Sequence, residues 1–102
     1  MKLIYTFLNE EKKRNEYMLE KYENELLLLP RGKITPRITK TNTYYYLKYR
    51  NGKKVCAKYI GTKDDDLTEL IEQLERRKIV EGFVKELKKE QEKLKKMEAM
   101  IC

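Results

Sequence analysis

A chain of 102 residues with 24 Lys and Arg against 17 Asp and Glu carries a formal net charge of +7 at pH 7. Its length suits one domain that buries about two thirds of its unfolded surface, and its eight tyrosines and Leu/Ile clusters exclude a plain disordered chain. The apolar run at the start is too short for a signal peptide or a membrane span, so we expect a cytoplasmic protein without a membrane partner.

The residues that most enzymes and metal sites need are missing from the sequence. There is no histidine, and the two cysteines, Cys56 and Cys102, lack metal-ligand spacing. There is also no nucleophile beside a base and no glycine-rich phosphate loop, so we expect neither catalysis nor a cofactor. The three carboxylates of residues 64–66 are interpreted as the start of a helix, with a divalent-metal site as the alternative.

The N-terminal part predicts a helix over residues 9–29. Asn9 is suited to cap it, and Pro30 and Gly32 end it. For residues 1–8, a short strand and an extra helical turn both remain open. The apolar stripe of this helix is Met18, Tyr22, Leu26 and Leu29.

Residues 33–61 predict a three-stranded antiparallel β-meander with strands KITPRIT, TYYYLKYR and KKVCAKYIG. Pro36 implies that the first strand lies at an edge. Asn51-Gly52 is expected to form the two central residues of the hairpin turn, which places Arg50 opposite Lys53. In this register Tyr44, Tyr46, Val55, Ala57 and Tyr59 share one face, expected to cover the helices, and Tyr45, Leu47, Tyr49, Lys54, Cys56, Lys58 and Ile60 share the other, expected to be solvated.

Residues 64–101 predict one long C-terminal helix. Its apolar positions shift phase near Gly82, which is compatible with a kink or a break. A helix of this length exceeds the predicted N-terminal one, so its end either projects into solvent or pairs with a second copy as a coiled coil. The expected fold is therefore α+β, a single domain over residues 1–102 in which the basic meander is inserted between two antiparallel helices.

Charge is distributed unevenly along the chain. Residues 26–63 contain ten basic residues and no acidic one, although the rest of the chain is acidic on balance. Interleaved tyrosines and cations on an open sheet suit stacking on bases and neutralisation of phosphates, and they suit an acidic protein surface as well. The expected partner-binding residues are Arg31, Lys33, Arg37, Lys40, Tyr45, Tyr49, Arg50, Lys53, Lys54 and Lys58.

The run LPRGKI…YYYLKYRNGKKVCAKYIG, followed by an acidic helix start, resembles a small uncharacterised domain found across bacteria, archaea and their mobile elements, over about residues 26–80. The strand–strand–strand–helix order is also similar to the arm-type DNA-binding domains of tyrosine integrases. That resemblance implies a sheet in the major groove, with Tyr45, Tyr49, Lys54 and Lys58 against DNA. The chain departs from the integrase pattern in lacking a catalytic domain and in having long flanking helices.

A short, lysine-rich protein of this kind also resembles phage and plasmid accessory proteins, among them anti-CRISPR proteins. The most specific expectation is a non-enzymatic mobile-element inhibitor of a CRISPR-Cas nuclease. Because the sheet is basic, such an inhibitor would engage guide RNA, target DNA or an acidic protein surface rather than mimic DNA. The alternatives are a stand-alone DNA- or RNA-binding module and a coiled-coil adaptor that forms a homodimer through the C-terminal helix.

Overall fold

The computed structural model describes residues 2–101 and confirms the predicted α+β architecture. Its elements are α1 (Lys2–Leu28), β1 (Lys33–Ile38), β2 (Thr43–Asn51), β3 (Lys54–Thr62) and α2 (Thr68–Ile101). The strands form one antiparallel sheet in the order β1-β2-β3, so Pro36 does lie in an edge strand. We describe two compact units in turn: a helical unit of residues 2–28 and 78–101, and a sheet unit of Leu29–Arg77.

The helical unit is an antiparallel pair. Its core on α2 is a seam of four buried residues, Val80, Val84, Leu87 and Leu94, whose spacing of four, three and seven is that of a coiled-coil seam. Three contacts show that the helices are antiparallel, because the residue numbers on α2 decrease as those on α1 increase. Lys12 Nζ lies 2.8 Å from Glu98 Oε2, Asn15 Nδ2 donates to Leu87 O at 2.8 Å, and the rings of Tyr22 and Phe83 lie 5.1 Å apart.

Of the two alternatives left open for the first residues, the structure has the helical one for residues 2–8, and α1 starts earlier than the predicted residue 9. The helix begins at Lys2, so Asn9 lies inside it and the predicted cap is wrong. Leu8, only 2 % exposed, belongs to the core of the pair, which explains why the helix extends through the apolar first residues. Because α1 is 27 residues long, its N-terminal half lies along the end of α2. Of the two alternatives for that end, projection beyond α1 into solvent is therefore wrong.

One polar side chain lies in the core of the helical unit. Asn15 is 1 % exposed, and its Nδ2 donates to Leu87 O and to Glu90 Oε1, at 2.8 and 3.3 Å. Its Oδ1 is buried and accepts no hydrogen bond. A lone asparagine in such a seam selects one register and orientation of the helices at a cost in stability. Part of that cost is the unsatisfied buried carbonyl, which destabilises the fold by about 1–3 kcal/mol.

We therefore expect Asn15→Leu to raise the free energy of unfolding by about 1–2 kcal/mol, because it removes the orphan carbonyl and adds apolar burial. Urea denaturation followed by circular dichroism measures the change. Asn24→Leu, at an exposed position of the same helix, is the control and should shift stability by less than about 0.5 kcal/mol. A less stable Asn15→Leu protein would show that the amide bond to Leu87 outweighs the orphan oxygen.

Asp66, one of the three carboxylates of residues 64–66, lies at the start of α2 and caps it, as the sequence predicted. Asp66 Oδ1 accepts hydrogen bonds from the Thr68 hydroxyl and from the Thr68 backbone N–H, at 2.6 and 3.0 Å. These two bonds, the hydroxyl first, lower the pKa of Asp66 below its ordinary value. Further along, α2 continues through Gly82 without a break.

The hairpin between β2 and β3 has a register two residues away from the predicted one. Arg50 pairs with Val55, and Asn51 pairs with Lys54, so Gly52 and Lys53 are the central residues of the turn. Gly52 has φ +65°, and no non-glycine residue among those described has positive φ. Positive φ at the first central position only is the type II′ pattern, whereas the prediction assumed type I′ with Asn51 in the turn.

The sheet also has its two faces reversed relative to the prediction. Leu47, predicted to be solvated, is buried at 7 % exposure, while Val55 and Tyr59, predicted to cover the helices, are 65 % and 51 % exposed. Ile60 lies on the Leu47 side by alternation with Cys56 and Lys58, and the bulge at Ile60, where Tyr45 pairs with Gly61 but Tyr46 with Tyr59, shifts the pairing of the residues after it by one. We call the side of Leu47 the covered face. It borders a groove with the first turns of α2 that is lined in part by Leu47, Ile60, Leu67 and Leu70.

Candidate nucleic-acid interface

The opposite side of the sheet is the open face, and all three strands contribute to it. Strand alternation and the observed pairing place eleven residues there. None of the eleven is acidic, and four are cations. The open face consists of Lys33, Thr35 and Arg37 from β1, Tyr44, Tyr46, Lys48 and Arg50 from β2, and Val55, Ala57, Tyr59 and Thr62 from β3.

Three tyrosines form a cluster on the open face. The ring of Tyr59 lies 5.6 Å from that of Tyr46, with an interplanar angle of 64°, and 6.4 Å from that of Tyr44, with an angle of 54°. Edge and tilted contacts of this kind stabilise the cluster and fix the ring positions. Tyr59 remains half-exposed, so part of its ring is available for contact with a ligand.

A depression of about 300 Å³ lies beside this cluster. Ala57 is its smallest side chain, opposite Lys48 in the β2–β3 pair, and the larger neighbours rise around it. Its lining contains one aromatic ring and two cations but no carboxylate. The lining residues are Thr35, Pro36, Arg37, Tyr46, Lys48 and Ala57. The site thus combines a concavity, a ring and positive charge.

The positive charge of the open face is not neutralised internally. Within residues 2–101, none of Lys33, Arg37, Lys48 and Arg50 forms an ion pair. By contrast, Arg14 in the helical unit is bonded to Glu11 and Glu90, and the hydrogen bond to Glu11 is the main reason that its pKa is raised. Unpaired cations on an exposed sheet attract phosphates or other anions.

A family model described as "Domain of unknown function (DUF6788)" matches residues 8–70. The chain belongs to this family. The matched part of the DUF6788 protein runs from α1 to the first turn of α2 and contains the whole sheet, so every open-face residue lies inside it. No curated protein and no solved structure matches the chain.

In this DUF6788 protein the sequence-predicted binding residues are divided among three places. Lys33, Arg37 and Arg50 lie on the open face. Tyr45 and Tyr49 are half-buried on the covered face, where the exposed Lys54 and Lys58 also lie. The other three are exposed outside the strands: Arg31 between α1 and β1, Lys40 in the β1–β2 loop, and Lys53 in the hairpin turn.

The covered face is a poorer site for phosphates than the open face. Lys58 lines the groove beside α2 together with Asp66 and Glu69, so carboxylates stand close to the one lysine of that groove. Two of the acidic residues that follow β3, Asp66 and Glu69, therefore lie at the covered face. In the part of the chain that the structure describes, no group of three potential metal-ligating side chains is present.

Sequence reasoning assigned Tyr44, Tyr46 and Tyr59 to the core, whereas the structure places them on the open face together with Lys48. The signal that separates the faces is in β1. Its sequence, KITPRI, alternates Ile34, Pro36 and Ile38 with Lys33, Thr35 and Arg37, and Ile34 pairs with Leu47. Strand β2 places tyrosines on both faces, and β3 places apolar residues on both, so the alternation in β1 is the clearest sequence signal for the apolar face.

Proposed function

We propose that this protein binds single-stranded nucleic acid through the open face of its sheet, as a non-enzymatic protein of the cytoplasm. The observation that carries the proposal is the depression at Ala57, which is lined by Tyr46 together with the two cations Arg37 and Lys48. A base can enter the depression while its phosphates contact the cations. The tyrosine cluster beside it offers a second stacking position at the half-exposed ring of Tyr59.

A single strand fits this face better than a duplex does. Bases in a duplex stack on one another, and their faces are not available to side chains, whereas unpaired bases stack on aromatic rings whatever their sequence. Reading a major groove requires side chains that project towards base edges. The middle of the open face instead recedes at Ala57 and presents rings that are tilted against one another.

The charges predict how affinity depends on salt. If the four cations of the open face, Lys33, Arg37, Lys48 and Arg50, each contact a phosphate, the logarithm of the association constant falls against the logarithm of salt with a slope of about −3. Covered-face lysines that stay out of contact leave this slope unchanged.

The test compares two charge-reversal variants, one at a lysine of the open face and one at a lysine of the covered face. Fluorescence anisotropy with labelled single-stranded RNA, single-stranded DNA and duplex DNA, at about 50 and 200 mM salt, gives the affinities and the slope. We expect Lys48→Glu to weaken single-strand binding roughly tenfold or more and to reduce the slope. Lys54→Glu, an exposed lysine of the same hairpin on the covered face, should change affinity by less than about threefold.

Each other outcome contradicts a defined part of the proposal. Equal losses from both variants would indicate attraction to net charge without a site. A loss from Lys54→Glu alone would move the site to the covered face, as the sequence predicted. Tighter binding to duplex than to single strands would favour groove recognition, and no binding of any probe at low salt would remove nucleic-acid binding altogether.

Inhibition of a CRISPR-Cas nuclease stays a prediction from the sequence and is a special case of this proposal. A protein with this face would act on the guide RNA or on the displaced DNA strand, both of which are single-stranded at some stage. The same pair of variants extends the test to a target-cleavage assay with a Cas9 ribonucleoprotein. Inhibition that survives Lys48→Glu would have to come from another surface.

A further inference from the structure

The end of the helical unit where α1 begins and α2 finishes has an apolar surface outside the core. Tyr5 Oη donates a hydrogen bond to Ile101 O at 2.9 Å, so the first turns of α1 lie beside the last turns of α2. Seven large apolar side chains are exposed there. We call this surface the apolar end; it consists of Leu3, Ile4, Tyr5, Phe7, Met97, Met100 and Ile101.

These residues are not the continuation of the core. Leu8 and Leu94, which belong to the core, are 2 % and 7 % exposed, whereas Leu3 and Met100 are each 83 % exposed and Phe7 is 55 % exposed. The first turns of α1 therefore carry apolar side chains on more than the one stripe that faces α2. A helix that is apolar around most of its circumference is normally buried on more than one side.

The size of the apolar end matches one side of a protein interface. A fully exposed large side chain has a solvent-accessible area of roughly 200 Å². Multiplied by the exposed fractions of the seven residues, this gives the apolar end a total accessible area of roughly 800 Å². The largest apolar patch of a typical monomer is roughly 300–600 Å², and a standard interface buries roughly 800 Å² on each partner. The apolar end thus exceeds the usual monomer patch and suffices for a specific complex.

Spacing and charge both suit another pair of helices. Leu3 and Phe7 are four residues apart on α1, and Met97 and Met100 are three apart on α2, which are the spacings of helix-packing ridges. Charges of both signs flank these positions on the same helical faces, as a self-complementary surface requires. The flanking residues are Glu10, three residues after Phe7, Lys93, four before Met97, and Lys96, four before Met100.

We propose that the apolar end is a self-association surface, through which two copies of this chain pack their helical units around a two-fold axis. Each apolar end then covers the other, and the four helix ends form a short bundle. The dimer carries two open faces, so a single strand long enough to reach both binds with avidity. This inference goes beyond nucleic-acid binding and stands independently of it.

Sedimentation equilibrium of the full chain, from about 1 to 100 μM, tests the proposal with two matched double variants. Leu3→Gln with Met100→Gln removes two apolar contacts from the apolar end without changing charge. Leu27→Gln with Leu28→Gln changes two leucines of equal exposure, 83 % and 85 %, at the other end of α1. All four positions are exposed, so circular dichroism should show unchanged helix content.

We expect the wild-type protein and the Leu27/Leu28 variant to dimerise alike, and the Leu3/Met100 variant to dissociate with a constant at least about thirtyfold higher. A wild-type monomer at about 100 μM overturns the proposal, as does a dimer lost in the Leu27/Leu28 variant alone. Monomers that sediment with phosphatidylcholine–phosphatidylserine vesicles would assign the apolar end to a lipid surface instead. Lys48→Glu should leave the dimer intact, which separates this result from that of the proposed function.

Discussion

Replacing Tyr46 and Tyr59 together with alanine should lower the affinity for single-stranded nucleic acid roughly a hundredfold, while circular dichroism still reports a folded sheet. Stacking of a base on an aromatic ring contributes about 1–3 kcal/mol per base. Tyr46 lines the depression, and Tyr59 is the exposed ring of the cluster. The measurement is anisotropy titration with single-stranded RNA at low salt. The salt slope should stay near that of the wild type, because no phosphate contact is removed.

Three control variants show whether the rings act by stacking. Tyr59→Phe keeps the ring and removes the hydroxyl, so it should bind within about threefold of the wild type. Tyr17→Ala removes a 69 % exposed tyrosine from α1 and should bind like the wild type. Tyr49→Ala removes a ring from the covered face. A weaker Tyr59→Phe protein would indicate a hydrogen bond from the hydroxyl, and loss on Tyr49→Ala alone would place stacking on the covered face.

The order and bounds of the sheet were predictable from the sequence because local signals agreed. Pro30 and Gly32 separate α1 from β1, and the Asn51-Gly52 pair marks the hairpin. The predicted strands agree with β1, β2 and β3 to within one residue at each end. These signals did not determine the register within the hairpin, because Gly52 can occupy either central position of a two-residue turn. The observed type II′ turn has Gly52 at the first central position.

The orientation of the sheet was harder to predict, because β2 and β3 place tyrosine, valine or leucine on both sides. Tyrosine tolerates half-burial, since its ring packs while its hydroxyl reaches water, so the tyrosine pattern fits either orientation. Apart from the alternation in β1, the orientation follows from tertiary structure: Leu47 and Ile60 line a groove together with Leu67 and Leu70 at the start of α2. The sequence predicted an exposed face with rings interleaved with cations, and the structure shows such a face, but it carries Tyr44, Tyr46 and Tyr59 rather than Tyr45 and Tyr49.

The helical unit shows a different limit of sequence reasoning. The stripe on residues 18–29 was detected, but the continuation of α1 to Lys2 depends on Leu8 being covered by α2. A buried Asn15 weakens the apolar pattern at the middle of the seam, where a leucine would have strengthened it. The polar position that selects the pairing of the two helices is thus the one that makes the pattern difficult to recognise.

Gly32→Ala should destabilise the protein by about 3 kcal/mol or more, the largest single-residue effect on stability that we expect. Gly32 has φ +127°, which side-chain-bearing residues rarely adopt, and a Cβ there would lie 2.5 Å from Lys48 O and 3.1 Å from Leu47 Cδ1. The first of these atoms belongs to the backbone of the central strand and cannot move without disturbing the sheet. Urea denaturation measures the loss, and a stability equal to that of the wild type would contradict the close approach.

Gly82→Ala is the matched control, since Gly82 lies inside α2 and a Cβ there meets no atom within 4 Å. It should raise the free energy of unfolding by about 1 kcal/mol, the difference in helix propensity between alanine and glycine. The two alanine variants also separate stability from function. A Cβ at position 32 would press on the backbone of Lys48, in the strand that also carries Tyr46. Binding should therefore weaken in Gly32→Ala even at low temperature, where the protein is folded, whereas Gly82→Ala should bind as the wild type does.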